Sequence, residues 1–466
     1  MVEVLHTLVA RPQPVGVFGL PAGYLLLPAD PGCDDVRVQL SAGKMPESFP
    51  KELAYYQLAL DGDLEGAAAA CNDSLIGQAN RLVLDPSPEH YHELVDIASR
   101  MGDEAFATHI ATIGFIIGLR RTPPDPGRTD GEFAAMAAAA HATLALERRD
   151  RAAAIEHMEY AAQMAKPVSL ALAGQLMGQL ANTQLDDGGA QRAAVTFQAA
   201  IDALEGTDLH VSRAELHVAA GAMYQEMSEA APRLMQAAIN HYHHAMALVN
   251  ADTAPETFAI ANANLGLAYI TMPMNEASDQ LRIGVAVQSM REALKFFGPE
   301  THLERWSSTQ LNLANALVYM PSKHQAENIA EAVELYEGVL EHRDRQSDPQ
   351  GRARVLANQG NALAHLGFFE DAKLKLHEAR SLFEEFEEHD AVMAVRGILD
   401  EIAKHESVER QDGAPKPQPS PARIAESAQR IQDNSDQLGS AVEITIHGNG
   451  SSTVRTEDGS DFGGPS

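Results

Sequence analysis

Between residues 46 and 405 the apolar positions recur at intervals of three and four, the spacing of a single helix face, and Gly, Pro and Asp breaks interrupt them. Within this stretch one pattern returns: an Ala, a bulky residue four later, and a small or branched residue seven later. It reads Ala154-Met158-Ala161, Ala193-Phe197-Ala200, Ala238-Tyr242-Ala245, Ala286-Met290-Ala293, Ala332-Tyr336-Val339 and Ala372-Leu376-Ala379. Offsets of four and seven put all three residues on one face, so each set predicts a helix with a buried seam. The leading alanines stand 39 to 48 residues apart, and two weaker members headed by Ala67 and Ala107 precede them. A packing rule repeated at that period predicts stacked units rather than one closed core.

Each of these helices has a partner before it. The phrase WSSTQLNLANAL (306–317) returns in altered form as NANLGLAY (262–269) and ANQGNAL (357–363), with a small residue at Ala314, Gly266 and Gly360. A small side chain there lets two antiparallel helices approach to the usual ~8–10 Å. From Ala238 to Asn264, Ala286 to Asn312 and Ala332 to Asn358 the interval is 26 residues each time, whereas from each Asn to the next Ala it falls from 22 to 20 to 14. Length therefore varies in the turn inside a hairpin, while the segment that stacks one hairpin on the next keeps its register.

In the last unit Gly360 stands 12 before Ala372, with Leu363 and Phe369 between them. That spacing, with Leu376 and Ala379, closely resembles the tetratricopeptide repeat (TPR), a helix–turn–helix unit of about 34 residues. The resemblance covers residues 130–390 well and 46–120 loosely. The longer repeats are also similar to the TPR arrays of bacterial CHAT-associated proteins, and the about 60 mostly polar residues that remain are expected to hold no CHAT protease domain. HEAT-type repeats are the alternative architecture. The expected fold is all-α, a TPR-like α-solenoid of about eight helical hairpins with a small irregular or β N-terminal segment.

The two ends differ from this middle domain (46–405). In residues 1–45, VGVFGLPAGYLLLPAD and DDVRVQL mix β-favouring residues with Gly and Pro, which predicts short strands or an extended arm. Residues 406–466 open on the proline-rich linker GAPKPQPSP (413–421). PARIAESAQRIQDNSDQLG (421–439) predicts a short helix with Ile424, Ala428, Ile431 and Leu438 on one stripe, able to cap the array or dock on a partner. AVEITIH (441–447) predicts one strand, and the closing GNGSSTVRTEDGSDFGGPS predicts a largely disordered acidic tail.

Composition narrows the functional classes. The chain is 45% hydrophobic but 5% aromatic, with runs of Ala that favour thin, closely packed helical layers. Its formal net charge of −30 repels phosphate backbones and anionic lipid, and the densest basic cluster, Arg148-Arg149-Asp150-Arg151, is too short to offset this. Nucleic acid and membrane are not expected as partners. Cys33 and Cys71 can build neither a disulfide framework nor a cysteine zinc site, and they read as thiols of a reducing compartment. The start MVEVLHTLVARPQ carries an acid where a signal peptide needs positive charge. The longest strongly apolar run, IATIGFIIGL (110–119), falls short of a membrane helix. A cytoplasmic protein is expected.

No phosphate loop, GxSxG or HExxH pattern occurs. His241 and His244 in NHYHHAM stand one helical turn apart, but no Cys, Asp or Glu lies four residues from either to complete a metal site. No metal, cofactor or enzymatic activity is expected. The recurrent asparagines carry the candidate site. Asn264, Asn312 and Asn358 stand two before the small packing residue, and Asn315 and Asn361 one after it. The TPR resemblance implies that these positions look into the concave groove. An amide both donates and accepts, so a ladder of them can pair with the backbone of an extended peptide. Tyr319 and His365 are expected beside the ladder, and Arg354 stands where carboxylate-clamp TPR domains carry Lys, while Leu311 and Ala357 occupy other clamp positions. The competing reading of these asparagines is structural, as hydrogen bonds that fix helix–helix geometry.

The expected function is a non-enzymatic protein–protein interaction scaffold whose groove binds a peptide or subunit of another protein. An assembly or maturation chaperone is one version, and a ligand- or peptide-responsive regulatory TPR sensor is the alternative. Self-association stays open.

Overall fold

A computed structural model describes residues 25–28, 30–228, 230–272, 279–320, 322–411 and two strands at 443–446 and 452–455. The helices fall into two compact units, Met1–Phe258 and Ala259–Ser466. The expected helix at 421–439 and the stretch VGVFGLPAGY lie outside the described residues.

The first unit holds α1 (Asp34–Ser41), α2 (Ala54–Leu60), α3 (Leu64–Ala70), α4 (Leu75–Leu84), α5 (Pro88–Met101), α6 (Glu104–Ile116), α7 (Gly131–Glu147), α8 (Arg151–Ala165), α9 (Leu170–Asp186), α10 (Ala190–Ala203), α11 (His210–Met227) and α12 (Met235–Leu248). Antiparallel hairpins form from α2 and α3, α5 and α6, α7 and α8, α9 and α10, and α11 and α12. Their starts are written locally. Asp63, Ser74, Ser87, Asp103, Asp150 and Ser169 each accept a hydrogen bond from the backbone N–H three residues on, which satisfies a donor the helix leaves open.

The stretch DDVRVQL, expected as extended, is helical instead. Asp34 and Asp35 lie in the first turn of α1, where a negative charge complements the helix dipole. Val36 and Leu40, four apart, are buried, and Val38 between them is 67% exposed. The alternation of branched residues thus conceals a helical period. The loop after α1 is tied to the far side of the unit. Ser169 Oγ donates to the Ser41 carbonyl at 2.5 Å, the Met45 N–H to Asp208 at 2.8 Å, and the Asp208 N–H to the Gly43 carbonyl at 2.8 Å. Gly43 has φ +71° there, and a Cβ would come within 2.9 Å of Ala171.

The second unit begins within α13 (Pro255–Thr271) and continues through α14 (Asp279–Ala293), α15 (Leu303–Tyr319), α16 (Gln325–His342), α17 (Pro349–His365), α18 (Phe369–Glu385) and α19 (His389–Gln411). Here α15 pairs with α16 and α17 with α18. Gly266 of α13 meets Met290 of α14 in the same way, which brings the hairpins to eight among the described residues. The connection between α15 and α16 is five residues long (320–324) and that between α17 and α18 three (366–368), so only two of the six residues by which these Asn-to-Ala intervals differ fall in the turn. The other four lengthen the start of α16, where Ala332 stands seven residues in against three for Ala372 in α18.

The seams are buried throughout. Ala154, Ala193, Ala238, Ala286, Ala332 and Ala372 are each 1% exposed or less, and Phe197, Tyr242, Met290, Tyr336 and Leu376 are equally enclosed. Ala107, heading a weaker set, is only half-buried. Each small residue of a first helix receives the bulky residue of the second. A Cβ added at Gly221 would stand 2.6 Å from the Tyr242 ring, and one at Gly360 would stand 2.7 Å from Leu376. Burial of such apolar surface, at roughly 25 cal/mol per Å2, is what holds the hairpins closed.

Two strands follow in the tail, β1 (Glu443–Ile446) and β2 (Ser452–Arg455). They pair antiparallel in the register Glu443 to Arg455 and Ile446 to Ser452. The first falls where AVEITIH predicts a strand. The second lies in the stretch expected to be disordered, because a short β-branched run gains a ladder once a partner strand lies beside it.

Candidate functional site

In the second unit the first helices touch one another in turn, α15 against α17 and α17 against α19, and so build a continuous face. The asparagines meet on it. Asn315 Oδ1 accepts from Tyr336 Oη at 2.6 Å and from Asn358 Nδ2 at 3.1 Å, joining α15, α16 and α17 through one oxygen. Asn361 Nδ2 donates to Tyr319 Oη at 3.3 Å, a second rung between α15 and α17. Burial first, and then the neighbouring Tyr319, hold the Tyr336 phenol well above its ordinary range, so it stays a donor to Asn315.

Asn312 is the odd member. It lies one turn before Asn315, is 5% exposed, and its Oδ1 has no hydrogen-bond partner. A buried carbonyl without a donor costs about 1–3 kcal/mol, and such groups mark either strain or a role that folding alone does not serve. Asn264 is half-buried on α13.

The remaining expected residues take other surroundings. Arg354 Nη2 faces Glu388 at 3.5 Å, so a carboxylate of this chain stands beside it. His365 is half-buried, and burial pushes its imidazole below the ordinary range, leaving it neutral at neutral pH. Leu311 and Ala357 are core residues.

The fold is TPR-like. It is carried by the hairpin packing described above. No family model matches the chain, and no curated protein matches it. Solved structures of low similarity include a tetratricopeptide repeat protein from Parabacteroides merdae, 16% identical, covering 58% of this chain and 98% of that one at a TM-score of 0.30. The TPR2AB domain of yeast Sti1, solved in complex with pHSP90, is 18% identical over 58% of this chain and 98% of that one, at a TM-score of 0.23. Human IFIT1, solved as a dimer with m7Gppp-AAAA, is 14% identical over 84% of this chain and 96% of that one, at a TM-score of 0.34.

Sequence reasoning missed a polar contact that ties α17 to α16 and α18. Gln359, 1% exposed, donates through Nε2 to Glu337 at 2.7 Å and to the Val333 carbonyl at 3.3 Å. Glu337 also takes Lys375 at 2.9 Å, and the Gln359 amide and then the Lys375 ammonium hold its carboxyl below the usual range. One signal was present: tyrosine rather than Met or Phe at a buried seam position needs an acceptor on the preceding helix. Tyr242 finds Gln225 at 2.8 Å as Tyr336 finds Asn315.

The first unit has its own polar cluster. His217 Nδ1 lies 2.9 Å from His241 Nδ1, and the His244 ring centroid is 5.1 Å from that of His217. Burial, then the charges of His241 and His244, push His217 down to about 3. Among the described residues no group of three His, Cys, Asp or Glu is arranged to hold a metal ion, and no helix is long and apolar enough to cross a membrane. A cavity of about 790 Å3 lies between α1 and the starts of α7 and α9, lined mostly by apolar side chains such as Leu25, Val38, Phe133 and Leu170.

Proposed function

We propose that the chain is a non-enzymatic, cytoplasmic protein-interaction scaffold, and that the first-helix face of its second unit holds an extended segment of a partner protein. The observation that carries this reading is Asn312, a buried amide whose oxygen is offered no donor by its own fold. Beside it, Asn315, Asn358 and Asn361 are fixed in place by hydrogen bonds yet only half-buried. Each amide spends part of its capacity on that geometry and keeps the rest, so one set of side chains serves both the structural and the recognition reading. A peptide backbone N–H is the matching donor for Asn312 once its side chain turns out to the face, and backbone pairing accepts many sequences.

The acidic surface favours basic or neutral protein segments over nucleic acid and membrane. Holding an unfinished subunit of a larger complex is the version of this role that suits shallow, backbone-directed contacts.

The test is peptide display on the immobilised full chain, followed by affinity measurement against Asn312→Ala/Asn358→Ala. Selected peptides are expected to lose at least tenfold in affinity for the folded double variant. Undiminished affinity retires the asparagine face as the binding site.

A further inference from the structure

The tail hairpin does not stand apart from the second unit. β1 lies against α15, the helix that carries Asn312 and Asn315, and β2 lies against α19. The helix between them, α17, touches both. The hairpin therefore touches two of the three first helices to which partner binding is assigned above. A two-stranded hairpin is marginally stable alone in water and needs a surface. Each of its strands also has an outer edge of backbone N–H and C=O groups that the other strand does not pair. Asparagine amides are side chains suited to meet such an edge, since each offers a donor and an acceptor.

The chain also permits this return. Residues 412–442 separate the end of α19 from β1. At up to ~3.3–3.6 Å per residue, that length far exceeds the distance back across two hairpins. The strand sequences, EITI and STVR, are rich in β-branched residues, the composition of an extended segment.

We propose that the paired strands, 443–446 and 452–455, are a built-in occupant of this face, and that an external partner presents an extended, β-branched segment of its own and binds by displacing them. The inference rests on the reading of the asparagine face as a binding surface. It adds the class of segment that fits and the competitor that any partner meets.

The test keeps the chain at full length. Thr445→Pro/Thr453→Pro removes both partners of one ladder pair and dissolves the hairpin. A fluorescein-labelled peptide of residues 441–457 is titrated against wild type and this variant by anisotropy. The peptide is expected to bind the proline variant at least tenfold more tightly than wild type, and to lose that gain when Asn315→Ala/Asn358→Ala is added. Equal affinity for the two chains, or binding to neither, overturns the proposal. So does a wild-type dimer that the proline variant converts to a monomer in light scattering, since the hairpin would then sit on a second copy.

Peptides selected by display separate this idea from the one beneath it. Equal binding to both chains that still depends on Asn312 sinks the resident hairpin and leaves the face standing. Loss of the Asn312 dependence sinks both.

Discussion

Replacing Asn312 by leucine tests the buried amide with little change of shape, because the two side chains have the same number of heavy atoms and the same branching, and the two methyl groups add only modest volume. In the native fold Asn312 Oδ1 is enclosed with no donor. Removing a desolvated, unsatisfied acceptor returns about 1–3 kcal/mol, and the added methyl surface contributes in the same direction. Asn312→Leu should therefore stabilise the second unit by about 1–2 kcal/mol. For a unit of this size that raises its melting midpoint by ~2–8 °C.

The same exchange three residues later has the opposite sign. Asn315→Leu leaves the Tyr336 hydroxyl, on a side chain 1% exposed, and the Asn358 amide without their acceptor. The buried hydroxyl alone costs about 1–3 kcal/mol. Differential scanning calorimetry of wild type and the two leucine variants reads both effects. A lower midpoint for Asn312→Leu than for wild type refutes the reasoning, because it means the amide is satisfied in solution. If Asn312 is kept for binding, the stabilised variant also binds selected peptides at least tenfold more weakly, a trade of stability against function.

Three further outcomes follow from other parts of the molecule. Gly221→Ala drives a methyl to 2.6 Å from the enclosed Tyr242 ring, and Gly266→Ala drives one to 2.6 Å from Met290 Cγ and 3.1 Å from the Ala286 carbonyl, so each should cost about 1–3 kcal/mol in thermal unfolding. His217, held neutral down to about 3 by burial and by His241 and His244, takes up its proton near 6.5 once unfolded. Its stabilising effect is thus complete above that pH and lost as pH falls toward 3, so His217→Gln should shrink the drop in melting midpoint between pH 7.5 and pH 5. Asp208→Asn weakens the hold on the Met45 N–H and on Lys44, and should raise amide exchange at Met45 several-fold while α9 and α10 stay protected.

What could be read from the sequence was what repeats. An Ala with a bulky residue four later is a local pattern, and stacking forces it to recur, so the seams and the small residues opposite them were legible, whereas the length expected in a turn is mostly one extra helical turn at the start of α16. What pairs once across a long interval was not. Asn315 meets Asn358 across 43 residues, Arg354 meets Glu388 across 34, and His217 meets His241 across 24, with no periodic sign of any of them. The asparagines were found for their recurrence, but only the coordinates distinguish Asn315, whose oxygen serves two donors, from Asn312, whose oxygen serves none. α1 escaped because Val36, Val38 and Leu40 alternate like a strand while only the outer two are buried. The division at Phe258 and Ala259 escaped because it falls inside α13, where the helical pattern runs on unbroken.

The most direct measurement is of the amides themselves. With asparagine side chains isotopically labelled in the Thr445→Pro/Thr453→Pro chain, and signals assigned by substitution, the 441–457 peptide is added and the side-chain resonances are followed by NMR. The signals of Asn312, Asn315 and Asn358 are predicted to shift together in a saturable way, with those of Asn80 and Asn182 in the first unit unmoved. Saturable binding that leaves Asn312 and Asn358 where they were would contradict the account.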